Sequence, residues 1–187
     1  MTPEWGLRTA RLELRPIGLE DVEALWPYVS DPELPRLMTW EAHRDRGETE
    51  GFVRASVAAR AEGTGFVWTM RLEGALVGVI GLHDVVRVVR AWRLERAELG
   101  YWCGAPYRGR GLVTEAAREV LRFGFEELGL HKLTVGCASE NLASKAVIER
   151  LGFRLVGVQR DHFFRFERWW DHLSFELLLE EWRNTRG

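Results

Sequence analysis

Three groups of residues in this 187-residue chain have types and spacings suited to chemistry. The first is the run Tyr107-Arg108-Gly109-Arg110-Gly111-Leu112-Val113-Thr114, set between a strand-like stretch and a helix-like one. A helix start presents unpaired N–H groups and partial positive charge, which together receive phosphate. Gly109 and Gly111 allow a tight turn and close backbone approach to a ligand. Arg108 and Arg110 add charge suited to phosphate oxygens. The same Gly-x-Gly pattern also makes an ordinary turn, so both readings stand. A P-loop does not fit, because no Gly-Lys-Ser/Thr is present. A dinucleotide fingerprint does not fit either, since it needs an early strand and an acidic residue about 20 positions on.

The second group is Asn141 and Ser144, an Asn-x-x-Ser pattern opening a short helix. Asn is a favoured N-cap. Yet the chain holds only two asparagines, Asn141 and Asn184, and two lysines, Lys132 and Lys145, so such residues within a motif are not filler. Lys145 is placed either to reach a phosphate or to sit on a solvated helix face. The third group centres on Glu98, a carboxylate inside an otherwise apolar strand, sharing a face with Gly100. Partial burial there raises a carboxyl pKa toward the general-base range, and a salt bridge to a nearby arginine is the structural alternative. His83, His162 and His172, the last beside Asp171, are alternative bases. None has metal-ligand spacing, and no metal is expected. Cys103 as an acyl nucleophile would need an adjacent base and a covalent intermediate; a buried thiol is the competing reading. Residues 162–171 are dense in aromatic and charged side chains and read either as core or as a cation-holding pocket of Trp169, Trp170 and Asp171, with Trp40 on a candidate opposite wall.

Periodicity supplies the elements that must position these groups. Leu12, Leu14 and Pro16 alternate with charged residues as a half-buried strand does. Helical spacing covers residues 19–29 and about 48–62, with breaks at Asp31-Pro32 and Leu34-Pro35. Strand-like runs follow at 66–72 and 76–89, then, past a charged tip, at 97–103. A helix over about 113–128 and a strand at 132–138 complete a βαβ unit, implying a parallel pair with a right-handed crossover. A short helix over 142–151 and strands near 153–159 and 172–179 end the chain. The expectation is one mixed α/β domain over residues 1–187, with a local parallel pair at its centre.

Composition removes several function classes. A net charge of −2 gives no basic footprint for direct nucleic-acid binding. No apolar run approaches the roughly 18 residues of a membrane span, and the N-terminus lacks a signal peptide's basic start, so a cytoplasmic, membrane-free protein is expected. Two cysteines, Cys103 and Cys137, suggest neither a disulfide scaffold nor a zinc site.

Arg108-Gly109-Arg110-Gly111-Leu112-Val113 resembles the acetyl-CoA pyrophosphate loop of the GNAT N-acetyltransferases, Arg/Gln-x-x-Gly-x-Gly/Ala, with Val113 departing at the last small position. The likeness extends to Ala97-Glu98-Leu99-Gly100-Tyr101-Trp102, Thr114-Glu115-Ala116, Asn141-Leu142-Ala143-Ser144 and Glu149-Arg150-Leu151-Gly152-Phe153. Five motifs in order are similar to the RimJ/RimL-like branch, which acetylates protein N-termini. The resemblance implies a largely antiparallel mixed sheet with a splayed central parallel pair, flanked by helices. It implies acetyl-CoA as co-substrate, its pantetheine between the strands at 97–103 and 132–138. The pyrophosphate would rest on the amides of Arg110 to Val113, with Thr114 in the same helix start, and the thioester near Trp102 and Cys103. By the same resemblance Ser144 faces the leaving thiolate, Asn141 contacts pantetheine, and Glu98 acts as base, directly or through water. The implied partner is a primary amine, a protein N-terminus or a small molecule such as an amino sugar, polyamine or amino acid. A homodimer is compatible with this reading, and a CoA-binding protein without turnover is its rival.

Overall fold

A computed structural model of the chain describes residues 5–184. Eight strands form one sheet: β1 (Leu7–Arg8), β2 (Leu12–Pro16), β3 (Phe66–Leu72), β4 (Ala75–Val89), β5 (Trp92–Cys103), β6 (Lys132–Ala138), β7 (Arg154–Arg165) and β8 (Arg168–Leu178). Their order is β1-β2-β3-β4-β5-β6-β8-β7, and every pairing is antiparallel except β5–β6. The helices are α1 (Val22–Val29), α2 (Arg46–Glu62), α3 (Leu112–Arg122), α4 (Leu142–Arg150) and α5 (Leu179–Asn184). The mixed architecture with a central parallel pair is as the sequence predicts.

Alternating burial splits the core across the sheet's two faces. Leu14, Trp68, Ile80, Leu99, Leu121 and Phe123 pack on the α3/α4 side. Ile17, Leu25, Val53, Val67, Val79 and Trp102 pack on the α1/α2 side. β5 therefore sends Leu99, Tyr101 and Cys103 one way and Glu98, Gly100 and Trp102 the other.

A fully buried carboxylate fixes the entry to α1. Asp21 accepts from Arg15 Nη2 and Arg71 Nη2 through Oδ1, the latter at 2.6 Å, and from the Gly18 amide through Oδ2 at 3.0 Å. A buried charge persists only when paired and hydrogen-bonded in this way. A second carboxylate ties the chain's start to α3: Glu115 accepts from Thr9 Oγ1 at 2.6 Å and from the Arg11 amide at 2.8 Å. Partial burial pushes the Glu115 carboxyl up, but these bonds and the Arg11 charge outweigh it and hold it below its ordinary value.

Three differences from the sequence reading have physical causes. β5 begins at Trp92, because the charged tip is itself a hairpin, with Val89 paired to Trp92 across Arg90, whose φ is 55°. α3 runs on into a single π turn, Phe123–Glu127, where Phe123 and Phe125 turn into the core. The segment 162–171 is a second hairpin: β7 extends to Arg165, β8 starts at Arg168, and Phe166 and Glu167 turn the chain at φ 52° and 59°. That tight turn lacks the Asn-Gly or Gly signal that would mark it in a sequence.

Candidate active site

The parallel pairing of β5 with β6 stops early. Arg96, Ala97 and Glu98 pair with Lys132, Leu133 and Thr134, and no register continues beyond, although β5 runs to Cys103 and β6 to Ala138. Each strand stays held on its outer side: Leu99 to Cys103 pair with β4, and Val135 to Ala138 pair with β8. Between them opens a cavity of about 1190 Å³, lined by Gly100 to Cys103 on one side and Val135 to Ala138 on the other. Unpaired strand edges carry backbone donors and acceptors that bind an extended chain as an added strand does.

The glycine loop closes one end. Gly109 and Gly111 adopt φ 72° and 74°, a left-handed conformation that costs glycine nothing. Gly111 is the N-cap of α3 and has no side chain to bond the first-turn amides. A Cβ at Gly109 would meet no protein atom within 4 Å, so that position faces open space. Arg108, Gly109, Gly111, Leu112, Val113 and Thr114 all line the cavity. Arg110 does not line it: its carbonyl accepts from Arg11 Nη1 at 3.1 Å and its guanidinium lies over the Tyr107 ring. Arg108 Nε is also engaged, donating to the Cys103 carbonyl at 3.1 Å. The loop's cradle is therefore mainly backbone. Arg150 at the end of α4, which sequence reasoning did not single out, reaches the cavity from the far side.

On the α3/α4 face, Asn141 and Ser144 line the cavity. Asn141 is the N-cap of α4, its Oδ1 accepting from the Ser144 amide at 3.1 Å. Ser144 Oγ lies 2.9 Å from the Tyr101 hydroxyl. Cys137 is beside it, its thiol pushed up by burial and drawn down by hydrogen bonding with Ser144. Lys145 points away, toward Glu149 at 3.9 Å, and does not line the cavity. Cys103 is buried with its thiol pushed up by burial, against the pull of Arg108 and Arg110, which suits a structural thiol better than a nucleophile.

On the α1/α2 face, Glu98 opens into the cavity, and desolvation by the surrounding walls, then Asp84, push its carboxyl above the ordinary range. His83 stands opposite Glu98, its ring against Gly81 and Gly100, where any Cβ would crowd it. Burial holds His83 below its usual pKa, against the pull of Asp84. His172 likewise lies against Gly136, where a Cβ would collide with its ring. Its Nδ1 is buried without a hydrogen-bond partner among the described residues, and burial with His162 nearby lowers its pKa.

The cavity wall on the hairpin side differs from the expectation. Trp40 lines the cavity as predicted, but Trp169, Trp170 and Asp171 do not. Trp169 is exposed at the hairpin end, Trp170 is buried with its Nε1 donating to the Arg165 carbonyl at 2.8 Å, and Asp171 accepts from the Asp161 amide at 2.9 Å. Hairpin alternation instead turns Phe163 and His172 into the cavity. Arg165 Nη1 fastens the hairpin to the opposite loop by donating to the carbonyls of Pro35, Met38 and Trp40.

A strand pair that separates over an uncapped helix start can receive an extended, phosphate-bearing ligand. Residues 11–154 match the Acetyltransferase (GNAT) domain. The chain belongs to this family of acetyl-CoA-dependent N-acetyltransferases. It is 35% identical over 114 residues to a Bacillus subtilis protein provisionally named ribosomal N-acetyltransferase YdaF, a stretch spanning 61% of this chain and 60% of that one. It is 27% identical over 176 residues to the N-acetyltransferase YnaD of Bacillus subtilis, covering 94% and 98% of the two chains. Among solved structures, RimL, a ribosomal-protein α-N-acetyltransferase in complex with coenzyme A, superimposes with a TM-score of 0.84 at 18% identity, over 92% of this chain and 97% of that one. The likeness to the RimJ/RimL-like branch is thereby borne out. No helix of the described residues is long and apolar enough to cross a membrane.

Proposed function

We propose that this chain transfers the acetyl group of acetyl-CoA to the α-amine of a protein or peptide N-terminus, by direct attack in a ternary complex. The observation that carries the reading is the separation of β5 from β6 beyond Glu98 and Thr134, ending at the uncapped start of α3. In this reading the pyrophosphate takes the amides from Gly111 to Thr114, pantetheine takes the strand edges, and Asn141 adds a contact to its amide. The amine arrives on the opposite face, past Trp40 and Phe163, beside Glu98. Glu98 takes the ammonium proton, directly or through water, and the neutral amine attacks the thioester carbonyl.

The acceptor class follows from proton chemistry. An α-amine titrates near 7.7–8.0 and a lysine amine near ~10.4, so at neutral pH the α-amine is easier to deprotonate by about 3.5 kcal/mol. One carboxylate meets that smaller demand. The name of the YdaF relative supports a protein acceptor. A small cationic amine is the second reading, favoured by the carboxylates Glu33, Asp84 and Glu98 on the cavity wall.

Initial-rate kinetics test the mechanism. Varying acetyl-CoA against a peptide should give intersecting double-reciprocal lines, and intact-mass measurement without acceptor should show no acetyl adduct. Parallel lines with a kinetically competent acetyl group on Cys103 would replace direct attack with a covalent route.

A further inference from the structure

Tyr101 has no role in the account above, yet it sits at the point where the two strands part. Its side chain leaves β5 on the α3/α4 face, lines the cavity and packs partly buried against the core. Its hydroxyl lies 2.9 Å from Ser144 Oγ, a pair in which either oxygen can donate, and 3.3 Å from the Ser144 carbonyl, which accepts from it. Cys137 of β6 flanks Ser144 from the other strand. The hydroxyl pair therefore bridges β5 to α4 across the mouth of the separation, on the face opposite Glu98.

We propose that Tyr101 is a positioning residue that acts through Ser144: by donating to Ser144 Oγ it leaves the serine's one hydrogen free to point into the cavity, at the sulfur that departs from the thioester. This rests on the acetyl-transfer reading. In the step it serves, the amine nitrogen bonds to the carbonyl carbon, the C–S bond breaks, and sulfur keeps the electron pair. Nitrogen loses two protons in all: Glu98 passes the ammonium proton to solvent before attack, and then takes the second as the amide forms. The thiolate is met by the serine O–H, whose oxygen is already polarised by the tyrosine.

The tyrosine does not surrender its own proton. Burial pushes the Tyr101 hydroxyl up to about 12. A thiol titrates near ~8.5, so moving the phenolic proton to a thiolate is uphill by a factor of about 3,000. Tyr101 works as a fixed dipole, strongest where the cavity excludes water and where negative charge develops. A net hydrogen bond of this kind is worth roughly tenfold in rate when it is made only as charge forms.

The test is a double-mutant cycle on the full chain with Tyr101→Phe, Ser144→Ala and both together. Phenylalanine keeps the ring and its packing. The expected result is a loss of kcat of about tenfold in Tyr101→Phe with acetyl-CoA Kd within twofold of wild type. The double variant should then be no slower than Ser144→Ala alone, within twofold, because Tyr101 has nothing left to act through. Multiplying losses would overturn the proposal by showing that Tyr101 acts independently of Ser144. A fall in CoA affinity matching the fall in kcat would overturn it by making the contact structural. Unchanged kcat in Tyr101→Phe would overturn it alone, whereas a wild-type chain that releases no thiol from acetyl-CoA with any amine would overturn the acetyl-transfer reading itself.

Discussion

Replacing Glu98 by glutamine is expected to lower turnover at pH 7 by a factor of about 10²–10⁴, the usual contribution of a positioned base. The lost activity should return in part as pH rises past the acceptor's own pKa, near 7.7–8.0 for an α-amine, because solvent then supplies the neutral nucleophile. The sign of the accompanying stability change keeps this result interpretable. Glu98 is exposed to solvent, yet desolvation by the cavity walls and then the Asp84 charge raise its pKa in the folded chain. A carboxyl whose pKa is raised on folding favours the fold below its unfolded pKa and loses that contribution as pH rises through the folded value. Because Glu98 is exposed, solvent screens this effect, and the glutamine variant should be about as stable as wild type at pH 7. A pH–rate profile alongside a thermal melt at pH 7 checks both halves. A variant with a flat pH response, or full activity at pH 7, would move the base elsewhere, with His172 and its unpartnered Nδ1 next in line.

Gly111→Val is expected to raise the Kd for acetyl-CoA by one to two orders of magnitude. Gly111 holds φ 74° as the residue that starts α3, and an added Cβ would meet only Arg11 Nη2, at 3.7 Å. Space is not the obstacle. A β-branched residue in the left-handed region costs on the order of 1–3 kcal/mol, and relieving that strain re-aims the amides that begin the helix. Those amides are the proposed anion site, so binding suffers more than folding does. Calorimetric titration of the folded variant measures it, and an unchanged Kd would remove the loop from the CoA site.

How far the sequence revealed this arrangement depended on whether a residue's meaning was local. The loop at residues 108–114 was legible because two glycines at a strand-to-helix junction have few uses, and both do take positive φ. Glu98 was legible because a carboxylate breaks the pattern of its strand, and it does open into the cavity. Tyr101 was not, since an aromatic residue at an inward strand position reads as core, and the serine that gives it meaning lies 43 residues away. The acceptor wall was misread for a different reason. A turn made by Phe166 and Glu167 in the left-handed region carries no glycine signal. With the hairpin unseen, the facing of residues 162–171 could not be assigned. Alternation then gave the cavity Phe163 and His172, and left Trp169, Trp170 and Asp171 outside it. Lys145 was chosen for its charge and Arg110 for its charge as well as its loop amide, and neither side chain lines the cavity.

The central claim is that this site acetylates an α-amine, and competition between two matched peptides tests it most directly. One peptide has a free N-terminus and no lysine; the other is N-blocked and carries a single lysine, with the remaining sequence shared. Both are incubated with acetyl-CoA and the enzyme at pH 7, and the acetylated masses are followed with time. The account predicts that the free N-terminus is acetylated at least tenfold faster per mole, and that raising the pH to 9 narrows the gap. Preferential acetylation of the lysine peptide at pH 7 would contradict it.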